Sequence, residues 1–387
     1  MATQEETQFK YNVILPAGST LEWSRKHIYG FWPELLEFKD KIHIIYSGFN
    51  SKYSILKRPD ESLYLEIDEK INEGKTNFIF ECISEGFFDD LIIKLNNIAE
   101  KYNSAKFFLA FSDVEGQKTY EKFCDKKGLN KILKILSASS FEKNFQHYTY
   151  FTQNYIPGYK QKKFLCFNKV PRQHRITLLN KLLKLDLVKD SYYSFDPIRD
   201  QFDIEQLNDE FSSLKQFKNN LPLQLNRTTE RNNPVDVRLE DLVYFNNSYF
   251  SIVTETMFYD LNKRVEGGIY VHVPDITPGC FFSEKIFKCL ALNHPFIVVS
   301  TPFYLYNLQK RGYKTFSPYI DESYDTIEDD NLRMEYIVKE VNRLCNLSEQ
   351  ELIDFTYKIK PIVEHNSAFY KSVTDFTVTK DVLAYIK

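Results

Sequence analysis

The chain of 387 residues holds only 12 glycines, and neither G-x-x-x-x-G-K-[ST] nor G-x-G-x-x-G occurs in it. That sets aside the glycine-rich phosphate loops of kinase-type and dinucleotide-binding enzymes. The six cysteines, Cys82, Cys124, Cys166, Cys280, Cys289 and Cys345, lie far apart and form no C-x-x-C. Such spacing gives neither a zinc site nor a disulfide framework, and points to reduced, mostly buried thiols. No apolar run approaches the roughly 18 residues that a membrane-spanning helix needs. The first residues, MATQEETQFKYN, are polar and acidic, unlike a signal peptide. Cytoplasmic placement without membrane association is therefore expected. Net charge is also small: 50 Lys and Arg stand against 53 Asp and Glu, a formal charge of −3. No global field draws in nucleic acid or an anionic membrane, although a local basic site is compatible with that sum.

Aromatic residues, by contrast, are plentiful, with 33 Phe and 26 Tyr. Phe, Tyr, Ile, Lys and Asn all have AT-rich codons, so coding bias explains much of this. Apolar runs of five to eight residues recur at 41–46, 78–84, 106–113, 131–139, 164–168, 248–255 and 294–301, with shorter candidates at 11–15 and 63–67. Amphipathic stretches separate many of them, as in DDLIIKLNNIAEKYN and in the leucine-striped segment after Pro171. Buried strands alternating with helices predict an α/β fold with parallel, doubly wound sheets. The length suits two Rossmann-like domains. Residues 1–150 form the first and 160–360 the second, with a Pro157-Gly158 crossover between them. A C-terminal helical segment, 361–387, is expected to pack back on the first domain. The spacing also predicts a helix from Asp330 and a Ser348/Glu351 capping box, and makes YKTF at 313–316 the last strand of a second βαβ set.

Two helix starts carry positive charge where the macrodipole disfavours it. One begins at Ser283, a good N-cap residue, followed by Glu284 and Lys285. The other follows the strand at 164–168, where Lys169, Arg172, His174 and Arg175 crowd one turn. An anion between such cations and the free backbone N–H groups explains both, so each is a candidate diphosphate site. The alternatives are ordinary: Lys285 held by Glu284 or Glu255, and Arg172 or Arg175 paired with Asp186 or Asp196. His174 reads either as a polar helix-start residue or as a proton carrier. In doubly wound sheets ligands collect beyond the C-terminal strand ends. Glu85 and Asp113 fall there and are candidate catalytic bases, or else helix caps. Asp321–Asp325 form an acidic loop that lacks any metal-ligand spacing.

Glu255, a loop, and then Phe282-Ser283-Glu284-Lys285-Ile286-Phe287 before an apolar strand resemble the donor-binding segment of fucosyltransferase-like glycosyltransferases. The N-K-V-P-R-x-H-R run at 168–175 is similar to a segment of viral and bacterial proteins of glycosyltransferase type. The resemblance covers about a third of the chain. It implies a GT-B enzyme, with two domains facing a cleft, in which the second binds a UDP- or GDP-linked sugar. Glu284 would meet the ribose, and Lys285 with Lys169, Arg172 or Arg175 the diphosphate, with Ser283 and Glu255 beside them. No D-x-D occurs, in keeping with a metal-independent, cofactor-free transfer to an acceptor hydroxyl. The acceptor is a glycan or, in a narrower variant, a hydroxylated DNA base; a viral origin places the protein in the host cytoplasm. A non-catalytic interaction protein on the same fold is the alternative of another class.

Overall fold

The computed structural model describes residues 28, 32–46, 58–82, 89–137, 142, 154–168, 171–196, 203–223, 225, 239–258, 265–266, 269–270, 279–373 and 380–386. The chain forms two compact units, Met1–Asn144 together with Thr374–Lys387, and Phe145–Val373. The expected strand at 11–15 and the Pro157-Gly158 crossover's first residues lie outside the described ones.

In the first unit β1 (Ile42–Tyr46), α1 (Asp60–Asn72), β2 (Asn77–Cys82), α2 (Asp89–Glu100), β3 (Lys106–Phe111), α3 (Gly116–Lys127) and β4 (Lys134–Ser137) alternate along the chain. The sheet is parallel, in the order β1-β2-β3-β4. Because this order follows the chain, right-handed crossovers put all three helices on one face. The row Ile45, Phe80, Leu109, Ile135 lies on that face, as does Phe107, on which Tyr102 from the end of α2 packs at 5.9 Å. Alternation sends Ile44, Ile79 and Phe108 to the other face. There they form one core with Ile28, Trp32 and Leu35, and with Ile386 of the C-terminal helix Lys380–Ile386. Tyr385 of that helix meets Phe108 edge-on at 5.6 Å. The ammonium groups of Lys106 and Lys134 lie 5.3 and 5.6 Å from its ring. Thus the segments at the two ends of the chain supply the layer that the crossover rule withholds. Residues 63–67, read as a strand from alternating Leu63, Leu65 and Ile67, lie instead in α1. Leu63 and Ile67 point inward at i, i+4 spacing while Leu65 is 71% exposed, so the helical period prevails over the shorter alternation.

The second unit runs β5 (Lys162–Phe167), α4 (Gln173–Lys184), β6 (Ser191–Ser194), α5 (Ser212–Phe217), α6 (Leu239–Asn246), β7 (Ser248–Thr254), the antiparallel pair β8 (Val265–Glu266) and β9 (Ile269–Tyr270), α7 (Glu284–Ala291), β10 (Phe296–Val299), α8 (Tyr304–Arg311), α9 (Asp330–Cys345) and α10 (Glu349–Ser372). Its main sheet is parallel with the order β10-β7-β5-β6. The chain moves outward from β5 to β6, returns past β5 to β7, and then moves outward the other way to β10. That reversal puts α4 and α7 on opposite faces. α9 packs with α4, and α10 with α7. β7, buried along its whole length, is the inner strand beside the reversal. Helix α10 passes through residue 361 to Ser372 and carries the expected capping box of Ser348 and Glu351.

YKTF forms no strand. The backbone N–H of Lys314 donates to Asn366 Oδ1 at 2.7 Å, and the Asn366 amide donates to the Lys314 carbonyl at 2.8 Å. One asparagine of α10 thus supplies both hydrogen bonds that a neighbouring strand would have offered. Gly312 stops α8 with φ 113°, and a Cβ there would lie 2.5 Å from the Phe369 ring. All six cysteines are reduced, and five of them are buried. Among the described residues no helix is long and apolar enough to cross a membrane.

His294 ties the entry of β10 to β7. Its Nδ1 lies 3.1 Å from both the Ser251 hydroxyl and the Pro295 carbonyl, and its Nε2 3.3 and 3.2 Å from the Ser248 hydroxyl and carbonyl. Burial, and then Lys160, hold its pKa down at about 3. The imidazole is therefore neutral in the folded protein, whereas the unfolded chain takes up a proton near pH 6.5. The resulting stability is complete above pH 6.5 and is lost as the pH falls from there toward 3. Between pH 6.5 and 4.5 the loss from this residue is roughly 2 kcal/mol. Urea unfolding of His294→Asn at the two pH values should show a drop smaller than wild type by about that amount. Identical drops would mean that His294 does not titrate on unfolding.

Candidate functional site

The sheet of the second unit changes direction between β5 and β7, and such a switch point is where loops part beyond the strand ends to leave room for a ligand. A buried polar network closes its floor. The Thr254 hydroxyl donates to Asn168 Oδ1. The Asn168 amide in turn donates to the Tyr193 hydroxyl at 3.1 Å and to Cys166 Sγ at 3.2 Å. The Asn168 backbone N–H reaches the Ser194 carbonyl at 3.1 Å. The ends of β5, β6 and β7 are thereby fixed to one another. Burial pushes the Cys166 thiol up to about 12, which leaves it protonated and without nucleophilic character.

On one side of the switch α4 begins. Pro171 precedes it, and Arg172 is its N-cap in extended conformation without a side-chain cap. His174 and Arg175 in the first turn are buried. Arg175 donates to the carbonyls of Thr254 at 3.3 Å and Glu255 at 3.5 Å. His174 Nε2 lies 3.0 Å from the Glu255 carbonyl, and the ring stacks on Phe258 at 5.6 Å. Burial first, then Arg175 and Arg172, keep His174 well below the usual imidazole range, so it is neutral and donates from Nε2. The same burial and Arg172 press Arg175 down to about 10, still cationic at neutral pH. Asp186, considered above as a partner for these arginines, pairs with Lys189.

On the other side α7 begins at Glu284, capped by Ser283, whose hydroxyl accepts from the Lys285 N–H at 3.3 Å. Glu255, fully buried, lies beneath this start. Its carboxylate accepts from the Ser283 hydroxyl, from the Ser283 N–H at 3.3 Å and from the Tyr304 hydroxyl at 2.7 Å. Burial raises the Glu255 pKa while Lys285, 4.0 Å away, opposes the rise. Lys285 is 24% exposed; its ammonium lies 3.0 Å from Glu284 Oε1 and 3.0 Å from Ser283 Oγ, with Thr256 Oγ1 at 3.4 Å. Burial lifts Glu284, but Lys285 and Lys288 outweigh it and leave the carboxyl below its ordinary value. Lys285 is thus held as an ion pair, with its head still within reach of solvent.

The structure therefore brings Arg172, Arg175, Glu255, Ser283, Glu284 and Lys285 around one strand end. Lys169 and Glu85 lie outside the described residues. Asp113 is in the first unit, almost wholly buried, and its Oδ1 accepts the Glu115 N–H at 2.9 Å in the turn that opens α3. The acidic loop is spent on backbone: Asp321 accepts from Ser323, Glu322 from Phe316, and Asp325 from Leu305 and Tyr306. Among the described residues no group of three or more His, Cys, Asp or Glu side chains is placed to hold a metal ion. Two further residues belong to the site, Tyr304 through Glu255 and Asn168 through Thr254; the position of Asn168 one residue past β5 is the signal that the sequence offers for it. Comparison with protein-family models, with curated proteins and with solved structures returns no match for this chain.

The Glu255 carboxylate gathers the Ser283 and Tyr304 donors in one buried place. Glu255→Ala should destabilise the protein by about 3 kcal/mol or more in urea unfolding, because it leaves the buried Ser283 and Tyr304 donors without their acceptor. Glu255→Gln, which keeps one acceptor oxygen, should cost less than half as much. Equal costs for the two would show that packing, not the acceptor, is what counts.

Proposed function

We propose that the second unit binds a nucleotide-sugar at the strand switch and that the protein is a glycosyltransferase of GT-B type, its two units being the Rossmann-like domains of such an enzyme. The observation that carries this reading is that two cation-bearing helix entrances, at Arg172–Arg175 and at Ser283–Lys285, meet at the same strand end. Helix N-termini and fixed cations around one point favour a bound diphosphate. The resemblance of the Ser283-Glu284-Lys285 start to that of fucosyltransferase-like enzymes adds the sugar-nucleotide and gives Glu284 to the ribose hydroxyls.

Burial separates the basic residues into two roles. Arg175 and His174 are turned onto backbone carbonyls and position the strand end. Arg172, half-buried, and Lys285 retain exposure and are the groups to meet phosphate oxygens. In the transfer an acceptor hydroxyl oxygen forms a bond to the anomeric carbon as the bond from that carbon to the diphosphate oxygen breaks, and the acceptor's proton passes to a carboxylate. Lys285 and Arg172 stabilise the negative charge that collects on the departing nucleoside diphosphate, the part that a divalent ion plays elsewhere. For that, Lys285 exchanges Glu284 for phosphate.

Thermal unfolding in the presence of UDP-, GDP-, ADP- and CMP-linked sugars tests the reading. A donor at about 100 times its dissociation constant should add roughly 2.7 kcal/mol of stability. Lys285→Ala should remove that gain, and Arg172→Ala should reduce it. A response unaltered in Lys285→Ala removes Lys285 from the site, and the absence of any response in wild type overturns the donor-site reading.

A further inference from the structure

Among the described residues, three other than glycine have positive φ: Asp186 at 57°, Asn293 at 56° and Phe303 at 61°. Asp and Asn tolerate the left-handed region, whereas a bulky aromatic residue there is strained. Phe303 is also 39% exposed, so its ring is not buried in the core. Scattered exposed aromatics are ordinary; Tyr306, one turn on, is 51% exposed but has normal helical backbone. What sets Phe303 apart is that the surrounding structure forces it. Its N–H donates to the Asp325 carbonyl at 2.6 Å. The Asp325 carboxylate accepts from Leu305 at 2.8 Å and Tyr306 at 3.0 Å, which fixes the start of α8 on both sides of the bend.

The bend lies on the rim of the strand switch. Ser300 and Thr301, just before it, donate to the carbonyls of Met257 at 3.2 Å and Gly279 at 3.1 Å. Tyr304, just after it, donates to Glu255. The loop bearing Phe303 is therefore tied to both segments that lead into the candidate diphosphate site. Backbone strain of this kind persists where an over-determined surrounding holds a side chain in a required place.

Resting on the donor-site reading, we propose that Phe303 is the stacking surface for the nucleobase of the donor. An exposed ring held at the rim by a fixed backbone offers a π-face at little entropic cost, and stacking makes no demand on the identity of the base. The experiment measures binding of nucleoside diphosphate-sugars and of inorganic pyrophosphate to the full chain by calorimetry. Phe303→Gly, which accommodates positive φ and so preserves the bend, should weaken nucleotide-sugar binding about 10-fold or more and leave pyrophosphate binding unchanged. Phe303→Tyr should restore the nucleotide affinity, and the melting temperature of Phe303→Gly should not fall. Nucleotide-sugar affinity unchanged in Phe303→Gly, or pyrophosphate affinity lost in parallel, overturns this assignment alone. Wild-type protein that binds pyrophosphate but no nucleotide-sugar overturns it together with the donor reading.

Discussion

The second unit depends on one buried carboxylate. Glu255 follows β7 without any exposure to solvent, and an ionised group in that place is tenable only when its lone pairs are filled. Ser283, the cap of α7, and Tyr304, the first residue of α8, fill them, while Lys285 in the first turn of α7 adds its charge from 4.0 Å. The backbone carbonyl of the same residue takes His174 and Arg175 from α4. One residue thus sets the positions of three helix starts, and whatever binds above them is positioned by the same constraint.

Topology explains why the charge gathers there. In the first unit the order of the described strands follows the chain, their crossovers stay on one face, and none of them ends at a reversal. In the second the order β10-β7-β5-β6 reverses beside β7, so α4 and α7 start from opposite faces and both point their N-termini toward the gap. Cations at two N-termini repel each other and oppose two dipoles. Three arginine and lysine side chains, Arg172, Arg175 and Lys285, stand against Glu255 and Glu284, a balance that leaves one positive charge over and favours an anion.

Much of this was legible in the sequence, for reasons that particular residues make plain. Long apolar runs bounded by helical stretches gave seven of the eight strands of the two main sheets their places, and the Ser283 cap and the Ser348/Glu351 box fixed two helix starts to the residue. The misreadings came from short segments, where period is ambiguous. Leu63, Leu65 and Ile67 alternate like a strand, yet the acidic first turn of Asp60 and Glu61 after Pro59 belongs to a helix. YKTF has a strand's composition, but its pairing depends on Asn366, more than fifty residues on, which no local pattern reports. Likewise the basic turn at 172–175 was visible as a cluster, but its division was not: only the fold shows that His174 and Arg175 are buried on carbonyls while Arg172 stays half-buried.

That division bears on how a cationic site can exist before its ligand arrives. A buried guanidinium without acceptors is untenable, so Arg175 uses carbonyls of the strand end, which are fixed and cannot be displaced by a ligand. Lys285 is held differently, by a neighbouring carboxylate on its own helix and by two hydroxyls, all of them side chains that can turn away. On the proposed reading, an anion competes with Glu284 for Lys285 but not with Glu255 for Ser283. The rigid half of the cluster keeps the geometry, and the exchangeable half is the one that a ligand would engage. A site built only from fixed pairs would bind nothing, and one built only from exchangeable pairs would collapse on itself in the absence of a ligand.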